Sequence, residues 1–459
     1  MKTLLLFFQI FSYLVYPSQG VDRRVLKENL ISACGSDAGV KYYEVADVYL
    51  VRECPKEVLK REWGIEKIEE EKKYRLPDFS VKNLQFEIDT LPWYVNMIHM
   101  YDREKVGLGG KGVVCGVLDT GLDTQDVYLS RSFSGYFKDA VNDSVRPYDD
   151  NGHGTAVSSL IAGEYGVAPD VLLAVCKGFG ANGMSDDSTI LECTEWFYEL
   201  KKSGIPLYVI NNSWGEPEAQ YMITVLQKWD SLGILSSFSA GNNGPFYRMI
   251  DAPSVYPITF SIGATTESDT LAWYSSRGPA PDTGIFSDTM LWPVPDWNYT
   301  KPDFVAPGDY MYVALPGKNH GIVSGTSFAT PVFSGLLCLM KEADPEMGFK
   351  EAYLILKNHG VVRRYGIVYP DSGYGFGRID VGRVMNYFAP KVVYDTFVKL
   401  SFPQGIEADF KIYTIDGRLV KEGRTPVLYL LPEDEPGGAY IMKLFLKNRT
   451  YTVKFVKIR

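Results

Sequence analysis

Five short strand-like runs constrain this chain more than any other feature. Residues 112–118, 171–175, 207–211, 234–239 and 260–264 are built mainly from apolar and small side chains. Runs of this kind are buried on both faces, which calls for parallel strands covered by helices. Helical patterns lie between them, at residues 188–203 and 221–231 for example. The alternation predicts an α/β domain with a doubly wound parallel sheet over about residues 93–388, with any site at the carboxyl edge of that sheet. At 459 residues the chain is long enough for about three domains, and 46% apolar content supports a sizeable core. A net charge of −9 and a pI near 5.2 argue against a nucleic-acid partner.

Chemistry concentrates in four segments. Gly-Thr-Ser-Phe-Ala-Thr-Pro at 325–331 delivers Ser327 to the start of a helix, continued by the apolar run 332–340. Pro331 is expected early enough in that helix to need no backbone donor. A helix N-terminus favours a developing negative charge, which suits a nucleophile, although a lone serine there is usually only an N-cap. A nucleophilic serine needs a base. Of four histidines, His99, His153, His320 and His359, only His153 stands between glycines ahead of a helix-like run, 156–162; His320 sits in a Lys-Asn-His-Gly turn. The imidazole needs an orienting carboxylate. Asp119 ends the strand 112–118 just before a Thr-Gly turn, where a parallel strand points its last residue into the site crevice. Asn242, in the turn Ala-Gly-Asn-Asn-Gly after the strand 234–239, is placed to donate to an oxyanion.

The order Asp119, His153, Asn242, Ser327, each in its own motif, resembles the subtilisin-like serine proteases, or subtilases. Val-Leu-Asp-Thr-Gly, Asn-Gly-His-Gly-Thr and Gly-Thr-Ser-Phe-Ala-Thr-Pro carry the resemblance. Asn-Ser-Trp-Gly at 212–215, Ser-Ser-Arg-Gly-Pro at 275–279, Lys-Pro-Asp-Phe-Val-Ala-Pro-Gly at 301–308 and Gly-Tyr-Gly-Phe-Gly-Arg-Ile-Asp at 373–380 extend it. The resemblance implies a serine endopeptidase in which Ser327 attacks, His153 transfers the proton, Asp119 holds the imidazolium and Asn242 stabilises the oxyanion. It also implies that Ser213, Trp214 and Gly215 pair with an extended peptide, opposite Ser239, Ala240 and Gly241 in the wall of the primary specificity pocket. Asp251 then falls at the pocket floor and would favour Lys or Arg before the scissile bond; the alternative is a solvent-facing loop carboxylate. Tyr128 stands where calcium-binding members place an aspartate, and the loop at 163–169 is short, so no calcium is expected there and no cofactor is assigned. A weaker calcium site elsewhere stays open. The competing classes are a catalytically silent scaffold and an esterase.

The ends of the chain read as additions. Residues 1–20, with Lys2 and an apolar run at 4–16, read as an export signal cut before Val21. Residues 21–89 loosely resemble a subtilase pro-region, a small α+β unit that acts as chaperone and inhibitor. Residues 42–51 are expected there as a strand and 54–60 as a helix. The peptidase domain is expected at 90–389, with an insertion at 280–300 that carries Trp292 and Trp297 and reads as a packed loop or a substrate rim. Residues 390–459 alternate like strands around an Asp-Gly turn at 416–417, then Gly-x-Tyr at 438–440. They resemble the sorting domain of type IX secretion, which would make secretion machinery a partner; a generic β-sandwich is the alternative. Cys34 and Cys54 leave a disulfide open, Cys176 and Cys193 are ambiguous, and Cys115 and Cys338 are expected as buried thiols. The reading is a secreted or cell-surface pro-enzyme acting on proteins or peptides.

Overall fold

The structure is a computed structural model. It describes residues 12–457 except 36–38, 77–80, 85–89, 216–217, 294–298, 390 and short stretches between 395 and 448. Residues 1–11, the start of the expected export signal, lie outside the described residues, as do Trp297 and Asp416. The chain divides into two units, Met1–Met100 with Leu108–Asp380, and Tyr101–Gly107 with Val381–Arg459.

The first unit opens with β1 (Ser12–Pro17), α1 (Arg23–Cys34), β2 (Val40–Tyr43), β3 (Val48–Arg52), α2 (Lys56–Leu59) and β4 (Ile65–Glu70). The strands form an antiparallel sheet in the order β2-β3-β1-β4. Tyr13, Val15, Leu26, Leu30, Tyr49 and Val51 form its core. The sequence reading places a cut before Val21, after the end of β1. Such a cut would remove β1, a buried strand that pairs with neighbours on both edges. An apolar run serves equally as a signal core or an inner strand, and hydropathy alone does not separate the two. Residues 42–51, expected as one strand, are the end of β2, the hairpin turn and most of β3, with Asp47 at φ 50°. Cys34 and Cys54 form a disulfide.

Strands β5 (Lys73–Arg75) and β6 (Val81–Leu84) and helix α3 (Trp93–Met97) lead on; α4 (Asp102–Lys105) belongs to the second unit. The core then runs β7 (Val114–Asp119), α5 (Val127–Ser132), β8 (Phe133–Asp139), α6 (His153–Ala162), β9 (Leu172–Lys177), β10 (Met184–Asp186), α7 (Asp187–Lys202), β11 (Leu207–Asn212), α8 (Tyr221–Ser231), β12 (Leu235–Ser239) and β13 (Phe260–Thr265). It ends with β14 (Phe304–Pro307), β15 (Met311–Leu315), β16 (Asn319–Val323), α9 (Thr326–Ala343), α10 (Phe349–His359), β17 (Val361–Val362) and β18 (Arg378–Ile379).

Nine strands form the main sheet in the order β17-β18-β14-β13-β12-β11-β7-β9-β8. Its pairings are parallel except that of β17 with β18. All five expected strands lie in it. After β9 the chain crosses to the other side of β7, so the carboxyl end of β7 sits where the winding reverses, the position at which open α/β sheets build their sites. Helix α9 is buried from Thr326 to Lys341 and packs on β11 to β14 and on α6. Pro331 lies inside α9 rather than in its first turn. A disulfide joins Cys176 at the end of β9 to Cys193 in α7, while Cys115 and Cys338 are buried thiols. In the loop at 280–300, Trp292 is buried and donates to the Phe286 carbonyl at 2.8 Å, and Phe286 stacks on Tyr256, so this part is a packed loop.

Among its described residues the second unit contains α4, α11 (Val381–Phe388) and seven strands: β19 (Lys391–Tyr394), β20 (Val398–Ser401), β21 (Asp409–Thr414), β22 (Leu419–Arg424), β23 (Leu428–Tyr429), β24 (Gly438–Leu446) and β25 (Arg449–Lys457). They form two antiparallel sheets, β19-β20-β23 and β22-β21-β24-β25. Phe410, Ile412, Tyr440 and Met442 are buried in the larger one.

Candidate active site

Asp119 is the last residue of β7 and is fully buried. Its Oδ1 accepts the Thr120 amide at 2.8 Å and lies 2.8 Å from Nδ1 of His153, which is also fully buried. His153 is the first residue of α6. The preceding Gly152 takes φ 98°, a conformation that glycine tolerates, and so turns the chain into the helix. A Cβ on Gly154 would come within 2.3 Å of the Gly121 carbonyl, so that residue type lets the histidine turn lie directly on the Thr120-Gly121 turn.

Asp149, which sequence reasoning did not single out, ties these two turns together. Its Oδ1 accepts from the Thr120 hydroxyl and the Gly152 amide, both at 2.8 Å. Its Oδ2 accepts from the amide and hydroxyl of Thr155 at 2.8 and 2.7 Å. The signal for it was local: an aspartate three residues before a glycine-led helix start is a natural partner for orphan amides.

Ser327 is the second residue of α9 and is 2% exposed. Its hydroxyl donates to the Ser213 carbonyl at 3.0 Å, and the Ser213 hydroxyl donates back to the Ser327 carbonyl at 2.7 Å. The next residue, Phe328, packs its ring against the His153 ring at 5.3 Å, so β7, α6 and α9 bring Asp119, His153 and Ser327 to one place. Asn242 joins them. Its Oδ1 accepts both the amide and the hydroxyl of Thr326 at 2.9 Å, which fixes the orientation of the side chain and leaves Nδ2 as its donating end. A Cβ on Gly325 would lie 3.3 Å from that Nδ2.

The expected substrate-binding residues surround this group. Ser213, Trp214 and Gly215 follow β11, and Ser239 ends β12 with Ala240 and Gly241 just beyond it. The Trp214 indole is buried against Tyr74, Phe179 and Phe238, so its main chain rather than its ring remains for pairing. Asp251 lies between the two walls. A Cβ on Gly241 would fall 2.2 Å from Asp251 Oδ2, and one on Gly215 2.8 Å from Asp251 Cβ. Nδ2 of Asn243 donates to Asp251 Oδ1 at 2.9 Å. A cavity of about 520 Å³ opens here, lined by Asn242, Asn243, Asp251, Arg248 and Glu218 among others. Nearby, the motif pair Lys301 and Asp303 forms a buried ion pair at 2.7 Å that also receives the Ser261 amide, and so ties β13 to the segment leading into β14. Burial lowers the Lys301 pKa and raises that of Asp303.

The pattern of the subtilase family, Peptidase_S8, matches residues 110–377 of this chain. Bacillopeptidase F of Bacillus subtilis is 29% identical over 341 residues, 66% of this chain and 23% of its own length. Serine protease AprX of the same organism is 29% identical over 289 residues, 55% of this chain and 62% of its own length. Subtilisin Savinase of Lederbergia lenta is 29% identical over 276 residues, 59% of this chain and 91% of its own length. The chain thus aligns with only part of the two longer relatives. With the match running from just before β7 to just before β18 and enclosing Asp119, His153, Asn242 and Ser327, the chain belongs to the subtilase family.

Proposed function

We propose that this chain is a serine endopeptidase, made as a pro-enzyme and exported. The observation that carries this reading is the buried Asp119–His153 pair, whose ring packs on the residue next to Ser327. In the reaction, the Ser327 hydroxyl turns from the Ser213 carbonyl to His153, gives up its proton to the imidazole and forms a bond to the peptide carbonyl carbon. Asp119 holds the imidazolium. Nδ2 of Asn242 and the Ser327 amide receive the oxyanion. The intermediate then collapses: the carbon–nitrogen bond breaks, His153 returns the proton to the leaving amine, and water releases the acyl group by the same steps. Asp251, between the pocket walls, favours Lys or Arg before the scissile bond.

Strand β5 supports the pro-enzyme reading, because this extended segment already lies on β10, beside Trp214. The two disulfides support an oxidising compartment outside the cell. Among the described residues no helix is long and apolar enough to cross a membrane. Any leader cut compatible with the N-terminal sheet falls before Ser12. The second unit, on its motifs, is read as an address for secretion machinery, and deletion of residues 390–459 should then retain the protein inside its native host.

A fluorophosphonate tests the central reading. The protein, once freed of its N-terminal segment, should take one label, on Ser327, and lose labelling in His153→Ala. Absence of label on a folded protein rejects the endopeptidase.

A further inference from the structure

Strand β5 adds to the edge strand β10 in antiparallel register, with Arg75 opposite Met184, Tyr74 opposite Ser185 and Lys73 opposite Asp186. The ladder continues at both ends. The Leu76 amide donates to the Gly183 carbonyl at 2.8 Å, and the Asp187 amide to the Lys72 carbonyl at 3.1 Å. Tyr74 turns off this strand into the protein and is 2% exposed. Its ring meets the Trp214 indole edge-on at 5.9 Å. Its hydroxyl donates to Oδ1 of Asp187, which also accepts the Tyr221 hydroxyl at 2.9 Å. Oδ2 of Asp187 accepts the Lys72 amide at 2.6 Å. Asp187 is fully buried and Tyr221 nearly so.

Two of these three donors to Asp187 belong to residues 72 and 74, outside the family stretch 110–377. When that segment leaves, Tyr221 remains as the donor, and a buried carboxylate short of donors is costly. An incoming extended peptide restores both lost bonds: an amide at one position and, two residues on, a hydroxyl at the tip of an aromatic ring. The walls, Trp214 and Tyr221, are aromatic and the acceptor lies at the far end. Phenylalanine fills the same space and leaves the acceptor unmet. Burial pushes the Asp187 carboxyl above its ordinary range, while the hydrogen bonds from Tyr74, Lys72 and Tyr221 act the other way and favour the carboxylate. Trp214 follows Ser213, whose carbonyl holds the Ser327 hydroxyl, so this pocket adjoins the candidate nucleophile.

We infer that Asp187 and Tyr221 form a side-chain pocket that selects tyrosine in the substrate, read through its phenol hydroxyl. This rests on the endopeptidase reading and names the side chain that reading would cleave near.

The test has two arms. The first uses the full chain carrying Ser327→Ala, so that no self-cleavage intervenes, with and without Tyr74→Phe, and reads hydrogen exchange. Loss of the hydroxyl should raise exchange in the peptides covering 72–76 and 184–187 at least about tenfold. An unchanged rate overturns the pocket, whatever the protein's activity. The second arm uses the wild-type chain after it has lost its N-terminal segment. Acetylated hexapeptides copying residues 71–76, with Tyr or Phe at the fourth position, compete with a fluorogenic peptide. The Tyr peptide should bind at least about tenfold more tightly. Equal inhibition, or stronger inhibition by a version with Arg there, overturns the selection of tyrosine. Failure to hydrolyse any peptide, together with a positive first arm, rejects the endopeptidase and leaves Asp187 and Tyr221 as a tyrosine-binding pocket.

Discussion

Ser213 and Ser327 exchange two hydrogen bonds, Oγ of Ser327 to the Ser213 carbonyl at 3.0 Å and Oγ of Ser213 to the Ser327 carbonyl at 2.7 Å. The second bond has a covalent origin four residues along. Within a helix the Ser327 carbonyl would accept the amide of residue 331, but that residue is proline and has none. The Ser213 hydroxyl supplies the missing donor. One residue type in the Gly-Thr-Ser-Phe-Ala-Thr-Pro motif thus locks the candidate nucleophile to the strand expected to bind substrate.

Ser213→Ala should leave that carbonyl buried without its side-chain donor. The expected cost is about 1–3 kcal/mol. It should appear as a lower denaturant midpoint at unchanged slope. A midpoint equal to wild type would mean that the carbonyl is satisfied in another way.

Asn242→Ala should act on rate rather than binding. Thr326 holds the side chain so that Nδ2 is its donating end. The expected loss is about 10²–10³ in kcat with KM nearly unchanged. A loss confined to KM would assign Asn242 to ground-state binding.

Asp251→Asn should remove a preference for Lys or Arg before the scissile bond. A peptide panel varied at that position should show wild type favouring the cations over Leu by about tenfold or more, and the variant favouring neither. Equal turnover of all members by wild type contradicts the assignment of Asp251 to the pocket floor.

Lys341, near the end of α9, tests the electrostatics of the core. Burial and the nearby Lys201 pull its pKa from 10.5 down to about 8, although its Nζ donates to the carbonyls of Pro345 and Met347. A base with a depressed folded pKa is neutral in the fold and charged in the unfolded chain between the two values. Its contribution to stability therefore rises with pH from about 8 to about 10.5, by up to roughly 3 kcal/mol. Relative to Lys341→Met, wild type should gain stability across that window in parallel denaturant titrations. Parallel profiles would show that Lys341 stays charged in the fold.

Most of the site was legible because its parts are local. Asp119 ends an apolar strand, His153 and Ser327 open helices after glycines, and Asn242 sits in a glycine turn; each motif carries its own backbone geometry. Asp149 was half legible: its bonds to Gly152 and Thr155 are local, whereas its bond to the Thr120 hydroxyl joins a turn that it meets only in the fold. Asp187 was harder to see. Two of its donors are residues 72 and 74, more than a hundred positions away. Of the fold, strands with strong apolar character were readable, whereas β8 (Phe133–Asp139) is largely exposed or half-buried and gave no such pattern. The stretch at 12–17 shows the limit of hydropathy, since the same residues suit a signal and an inner strand.

The central claim is that Ser327 is an active nucleophile. Its most direct test is intact mass over time for the full chain beside a Ser327→Ala twin. The account predicts that the parent alone sheds its N-terminal segment, while the twin, about 10⁶-fold impaired, stays whole. Loss of the segment from both at the same rate, or from neither when the parent, freed of the segment by another protease, also resists fluorophosphonate, would contradict it.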